Sequence, residues 1–565
     1  MFAAVLALGL GWPGLVDAQP APSPYGPALT TAANAIPLSS DGATAHGLSR
    51  ATLRQLYPDG AARPLWLDGD GRPSPQATQA LAALATSDSR GLRPADYDAA
   101  ALQSGFASIA AAVSSRVADG AAGGAVATDV AAAARLDVEL SLQMMRLVAH
   151  LHAGRVDPRT VGFRLPETHD TLDLASLALT ISRASDVAAV IRAEEPPYAG
   201  YAALISELAR YRAFAAGPEI RPPDPGRVVR PGDAYPDAPA LGRFLLTLGD
   251  LPRAAADAAI PTPSDSLYEG ALVQGVTAFQ ERHGLEPDGI IGPATVKQLR
   301  TPLESRVRQI ELALERLRWL PDVAPERYVV VNVPAFRVYA FEDDPTASHP
   351  VLRMNVVVGR EGPRATPLFV GSMSELVFQP YWNVPYSIAR AEIVPKARRD
   401  PGYMNRERLE IVRGGDHGAT IFPATAANLS RVVRGELRIR QWPGANNSLG
   451  RVKFLFPNEY NVYLHGTPAT ELFSRARRDF SHGCIRVEDP TSLAAWVLKG
   501  QGDWNRDSVV AAMTEGVGRI SRSVEIERPI PVYILYTTAV VGDDGRLHFY
   551  QDIYGHDARL VHALQ

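Results

Sequence analysis

The chain has 565 residues, enough for three or four domains at about 150 residues each, and its 46% apolar and 21% charged residues exclude wholesale disorder and a polytopic membrane protein. Lys and Arg number 57 against 61 Asp and Glu, so the net charge of -4 gives no reason to expect a nucleic-acid partner. The one cysteine, Cys484, excludes internal disulfides and Cys-rich zinc sites, and is either an inert core residue or a reactive thiol.

The run Phe2–Val16 is apolar and leads into Val16-Asp17-Ala18, a small-residue pattern like a signal-peptidase site, so residues 1–18 read as a signal peptide and the mature chain begins near Gln19. That run is shorter than the roughly 20 residues of a spanning helix, and no later stretch is apolar enough, so no stable membrane span is expected after cleavage. Residues 19–47, rich in Ala, Pro and Ser, read as a linker. Residues 48–230 read as a helical scaffold, with helical spacing broken by punctuation such as Tyr57-Pro58-Asp59-Gly60. Leu136, Leu140 and Met144, with Val138, Leu142 and Met145 between them, suit a helix buried around much of its circumference. His150 and His152 are two apart and fall on different faces of a helix, which argues against a metal pair. The Gly/Ala stretch 119–127 lacks a GK[ST] ending and reads as a loop, not a phosphate cradle.

A Pro-rich break, Arg221-Pro222-Pro223-Asp224-Pro225, precedes a compact segment at 231–303. It offers a helix with Val273, Val276, Phe279 and Gln280, a turn at Pro287-Asp288-Gly289, and a new helix opening at Pro293, where the missing N–H costs nothing. Ala278-Phe279-Gln280 and the run Asp288 to Thr295 resemble the small three-helix peptidoglycan-binding domain. The alternative is a further helical spacer. Residues 304–326 read as a connecting helix, centred on Gln309 to Leu320.

From residue 327 to 565 the pattern changes to short alternating strands, among them Tyr328 to Val333, Val351 to Val358 and Leu376 to Phe378. Tyr381-Trp382-Asn383-Val384-Pro385 places an aromatic and an amide at a strand end. A polar, Arg-rich insertion at about 391–439 interrupts the strands, and a segment of that length is uncommon unless it serves as a lid or a binding element.

The most informative stretch is residues 461–490. Read as a strand, Val462 and Leu464 face the core while Tyr463 and His465 face the other side. The same rule puts Ile485 and Val487 in the core and Cys484 and Arg486 together on the opposite face. A cation beside a thiol lowers its pKa from about 8.5 and populates the nucleophilic thiolate. His465 is the natural base or ion-pair partner, and Gly483 removes a side chain where an acyl carbonyl must approach. Asp489 caps a helix from Pro490 to Lys499 that anchors the loop. The sequence Ser481-His482-Gly483-Cys484, with His465 upstream, therefore favours catalysis over a buried structural cysteine.

These residues resemble the L,D-transpeptidase catalytic domain of the YkuD fold, whose signature is a His-Gly followed by Ser-His-Gly-Cys. Trp382-Asn383-Val384-Pro385 and Arg440-Gln441-Trp442-Pro443-Gly444 are similar to the large, multidomain YcbB-type branch. The resemblance implies a multidomain α+β protein: a helical N-terminal scaffold, a three-helix peptidoglycan-binding domain, and a β-rich catalytic domain whose insertion is a cap. It implies a periplasmic, cell-wall-associated enzyme with no cofactor and no metal, acting on peptidoglycan stem peptides and working beside other cell-wall synthases. Cys484 would attack the third-residue carbonyl of a tetrapeptide stem, release D-Ala, and pass the acyl group to an amine as a 3→3 cross-link. His465 would be the base, oriented by the carbonyl of Gly466. Backbone N–H groups near Gly483 and Cys484, with Tyr463, would hold the oxyanion, and Ser481, His482, Arg486, Trp382 and Asn383 complete the candidate site. Two rivals remain at this stage: a wall cysteine hydrolase using the same residues, and a non-catalytic wall-binding scaffold.

Overall fold

The computed structural model describes residues 23–38, 48–118, 129–165, 172–218, 220, 222, 224–253, 266–323, 325–342, 350–415, 418–514 and 521–565. The expected signal peptide and the Gly/Ala stretch 119–127 lie outside them. Within the segment read as a linker, Gly26–Ala35 forms a helix with Leu29 and Ala33 buried, because its alanines favour a helix once a Pro sits in the first turn. Among the described residues no helix is long and apolar enough to cross a membrane.

The chain divides into two compact units. The first, residues 1–86, 93–149 and 171–194, is helical in its described residues. In the helix Val130–Ala153, Val138, Leu140, Met144 and Met145 are buried as their spacing predicts. Asp137 of that helix is fully buried and accepts hydrogen bonds from the Tyr57 hydroxyl (2.7 Å) and from the backbone N–H groups of Leu65 (3.1 Å) and Trp66 (2.8 Å). Burial nonetheless pushes its carboxyl up to about 6.

The second unit, residues 87–92, 150–170 and 195–565, holds all the strands among the described residues. They are β1 (Phe163–Arg164), β2 (Arg327–Asn332), β3 (Arg337–Glu342), β4 (Leu352–Gly359), β5 (Leu368–Phe378), β6 (Trp382–Asn383), β7 (Leu409–Arg413), β8 (Thr420–Phe422), β9 (Arg438–Gln441), β10 (Val452–Leu455), β11 (Leu464–His465), β12 (Asp479–Ser481), β13 (Ile485–Val487), β14 (Arg522–Leu535), β15 (Ala539–Val541) and β16 (Leu547–Phe549). The large sheet runs β5-β10-β11-β13-β4-β3-β2-β14, and β14 pairs with β5 as well, so the sheet closes on itself. Alternation along β2, β3 and β13 sends Val329, Val331, Val338, Ala340, Ile485 and Val487 into one shared core.

The insertion is a folded element with its own apolar core, which includes Ile393, Val394, Ile411, Leu429 and Ile439. Its four-stranded sheet has the order β6-β9-β7-β8, so it begins at Trp382 and ends at Gln441 rather than spanning 391–439. A two-residue strand such as β6 is too short for periodicity to announce it.

The segment after the Pro-rich break contains the helices Ala238–Leu248, Ala271–Arg282 and Pro293–Leu299, with Pro293 in the first turn. Buried Gln280 fixes the intervening turn: its amide donates to Asp288 Oδ1 (3.0 Å) and Ile290 O (2.9 Å), and its carbonyl accepts from Gly289 N–H (2.8 Å). The buried Arg282–Asp250 ion pair (2.6 Å) reaches the hairpin β15–β16, because Arg282 also donates to Leu547 O (2.9 Å) and Arg546 to Asp250 (2.5 Å).

Candidate active site

Strands β11 and β13 lie side by side in parallel, pairing Leu464 with Ile485 and His465 with Arg486. Leu464, Ile485 and Val487 are core, which sends Tyr463, His465, Cys484 and Arg486 to the opposite face, as the alternation requires. Asp489 caps the helix Pro490–Val497 by accepting from Ser492 N–H at 2.9 Å, so the segment after the nucleophile candidate is tied to a rigid element.

The imidazole of His465 is 4% exposed, and its Nδ1 bonds the carbonyl of Gly466 at 2.5 Å. That contact makes Nδ1 the donor and leaves Nε2 as the basic nitrogen. Burial, with the Arg486 charge second, lowers its pKa to about 3, so the ring is neutral across the physiological range. A neutral imidazole is a competent base and a poor ion-pair partner, so the arrangement favours the first of the two roles the sequence left open.

Cys484 is half-buried and lies 3.8 Å from the carbonyl of Asn461. Burial pushes the thiol up. The backbone N–H and phenol of Tyr463 and the cation of Arg486 all pull it down without overcoming that cost. The expectation of a resting thiolate is therefore corrected: both the thiol and the imidazole rest neutral, and no hydrogen bond joins them in this arrangement. Burial and the neighbouring sulfur in turn raise the phenol of Tyr463 well above its ordinary range. Arg486 faces the sulfur with its buried Nε unbonded.

The loop before the thiol is held from within and from behind. Ser481 Oγ donates to Cys484 O (2.6 Å) and accepts from Gly483 N–H (3.1 Å). Gly483 N–H is thus already occupied, which leaves the N–H of Cys484, unbonded among the described residues, as the backbone donor for an oxyanion. Gly483 has φ +120°, and a Cβ there would meet only ordinary contacts near 3.8 Å; backbone conformation, and not crowding, requires glycine. From behind, Thr366 Oγ1 donates to Gly483 O (2.8 Å) and accepts from Gly359 N–H (2.8 Å). The Tyr554 hydroxyl donates to Gly359 O and accepts from Thr366 N–H (3.3 Å). A Cβ at Gly359 would lie 1.9 Å from Arg364 O, so that close approach excludes any side chain.

His482 points away from the sulfur and bonds Glu392 of the insertion at 2.7 Å, with Arg364 also on Glu392 at 3.3 Å. Trp382 and Asn383 lie in the insertion's sheet, paired with Gln441 and Arg440. The structure therefore brings Tyr463, His465, Cys484 and Arg486 to one face, with the Gly466 carbonyl on the His465 ring and Ser481 bonded to Gly483 and Cys484 within the loop. Thr366, Tyr554 and Glu392 were missed; Tyr554 carried a signal, standing in the distinctive run Asp552-Ile553-Tyr554-Gly555. No group of His, Cys, Asp and Glu among the described residues has a metal-ligand arrangement.

Residues 326–517 match the L,D-transpeptidase catalytic domain (YkuD), residues 51–208 a scaffold domain, and residues 240–299 a "Putative peptidoglycan binding domain". A Haemophilus influenzae protein named "Putative L,D-transpeptidase" is 30% identical over 263 residues, 46% of this chain and 50% of that protein. The chain thus spans about half the length of the curated relative it matches. Residues 326–517 thus form a YkuD-type L,D-transpeptidase catalytic domain, and the chain carries a peptidoglycan-binding domain beside it.

Proposed function

We propose that the protein is a peptidoglycan L,D-transpeptidase of the periplasm that forms 3→3 cross-links with Cys484 as nucleophile. The observation that carries this reading is the pairing of β11 with β13, which sets a neutral, Gly466-oriented imidazole and the chain's one thiol on the same face. The Cys484 sulfur attacks the third-residue carbonyl of a tetrapeptide stem as its proton passes to His465 Nε2. The Cys484 N–H and the Tyr463 phenol stabilise the oxyanion. The C–N bond to D-Ala then breaks, its nitrogen takes the proton back from His465, and a thioester remains. An amine of a neighbouring stem attacks the thioester, gives its proton to His465, and expels the sulfur, which takes that proton back from His465 to restore the neutral pair. The thiol–imidazole hydrogen bond forms as the donor stem closes on the site, since catalytic hydrogen bonds commonly tighten in the substrate complex. Gly466 takes the orienting place that an acidic side chain holds in a triad. The insertion is the cap that limits competing hydrolysis, and Trp382 and Asn383 contribute to it. Other cell-wall synthases supply and share the stems.

The test is incubation of the full chain with tetrapeptide-containing muropeptides and mass analysis of the products. Cross-linked dimers lacking one D-Ala are expected, and none with Cys484→Ala. Shortened monomers without dimers would replace the transpeptidase reading with the hydrolase one.

A further inference from the structure

Away from Cys484 the second unit contains a cavity of about 720 Å³, within the roughly 300–1,000 Å³ of ligand sites. Its floor is the face of β2–β4 that the catalytic core does not use. Alternation sends Val338 and Ala340 inward and leaves Arg337, Tyr339 and Phe341 on the cavity side. The turn at 284–287 of the peptidoglycan-binding segment forms one wall and the β15–β16 hairpin another, and Tyr550 packs against Gly284, whose Cβ would lie 3.1 Å from the ring. A further wall, 473–478, runs directly into β12 and the loop that carries Cys484.

Many of the polar groups in this cavity are engaged with one another. Arg353 pairs with Asp543 (2.9 Å), and His548 with Asp544 (3.1 Å). Glu488 accepts from the Asn355 backbone (2.9 Å) and side chain (3.1 Å), and Glu286 accepts from Ala476 N–H (3.2 Å). Arg478 donates to Phe336 O (3.1 Å) and Asn355 (3.0 Å). The guanidinium of Arg337 and the hydroxyls of Tyr339 and Tyr550 bond nothing among the described residues, and both phenols lie within the field of Arg337. The Arg337 cation beside two hydroxyl donors is a receptor for an anion, and a guanidinium fork matches a carboxylate. Beyond them Val330 and the stacked rings of Tyr328 and Phe341 (4.8 Å apart) offer an apolar surface.

We propose that this cavity is a second binding site of the chain that takes a carboxylate-bearing peptidoglycan stem peptide, its carboxylate on Arg337, Tyr339 and Tyr550. The identity of the ligand rests on the peptidoglycan reading above, since the wall-binding segment supplies one wall. The site holds a stem that is not being acylated.

The experiment is calorimetric titration of the full chain bearing Cys484→Ala with a disaccharide tetrapeptide. Two sites per chain are expected. Adding Arg337→Ala should weaken one of them by about tenfold or more, the worth of a charge-assisted hydrogen bond. Tyr339→Phe and Tyr550→Phe keep the rings and should weaken the same site less, while amidation of the peptide's carboxylates should abolish it. A single site in the starting chain, two sites indifferent to all three substitutions, or displacement by inorganic phosphate at equal concentration would overturn the proposal. Carbapenem acylation of Cys484, followed by mass in Arg337→Ala with the thiol intact, should be unchanged; absence of any adduct would count against the transpeptidase reading instead.

Discussion

Thr366 Oγ1 donates a 2.8 Å hydrogen bond to the carbonyl of Gly483, the residue before the candidate nucleophile. Because that hydroxyl also accepts from Gly359 N–H and stands beside the Tyr554 hydroxyl, three distant segments converge on the loop. Thr366→Val keeps the shape and strands two buried backbone groups, at a cost of about 1–3 kcal/mol. The expected result is a fall of about tenfold in the rate of carbapenem thioester formation at Cys484, with Thr366→Ser restoring most of it, since only the hydroxyl is needed. Equal rates in the valine and serine variants would assign Thr366 to packing alone.

The pH profile of acylation follows from the neutral resting pair. The His465 pKa is lowered to about 3, so protonation of the imidazole does not produce an acid limb near 6.5. The thiol is raised, so both partners stay neutral and the rate should be flat through neutrality, changing only where the thiol begins to ionise at alkaline pH. Tyr463→Phe removes a phenol that pulls the thiol down, which should move the alkaline limb to higher pH. A stopped-flow profile of adduct formation from pH 5 to 10 checks both statements.

Stability should respond to acid through the same histidine and two others. His465, His283 and His556 are buried and held neutral, with pKa values lowered by burial, to about 3 for His465 and about 4 for His556. The unfolded chain takes up protons near 6.5 and the folded one does not, so stability rises with pH and is lost as pH falls below about 6.5, by about 1.4 kcal/mol per histidine per pH unit. Asp137 works the other way in its own unit, because a carboxyl raised to about 6 loses stability as pH rises from its unfolded value toward 6. Thermal melts from pH 7 to 5 should show a falling midpoint for the second unit, and His556→Asn should flatten that slope.

Glu392 links the insertion to the loop through His482, with Arg364 as a second partner. The pair is about one-third exposed, so its loss is worth only about 0.2–1 kcal/mol. Glu392→Gln should change the midpoint of unfolding little, while raising the share of hydrolysed over cross-linked product a few-fold as the cap loosens. Product masses at low and high salt measure this, and high salt should reproduce the effect in the unsubstituted chain.

The layout of the candidate site was legible because it is written locally. Strand alternation alone placed Tyr463, His465, Cys484 and Arg486 on one face, and Pro293 and Asp489 marked helix starts that the structure repeats. The charge state of the thiol was not legible, since it depends on how much of the site is buried, a property of the assembled fold. The same holds for Thr366 and Tyr554, whose partners lie far along the chain, and for the start of the insertion, where β6 has only two residues. Local periodicity carries no information about such long-range pairings. At Gly483 the φ of +120° calls for glycine in its own right, a cause that the sequence does not display.

The closure of the large sheet bears on how the protein reaches its working form. β14 joins β2 to β5 only after nearly the whole catalytic domain, insertion included, has been synthesised. Contacts so remote in sequence form slowly, because the ordering of the intervening chain precedes any gain from pairing. Until then β2 and β5 present open edges that invite pairing with other chains. Folding of this domain is therefore its most vulnerable interval, and a chaperone that shields strand edges should raise the yield of active protein more than one that only slows collapse.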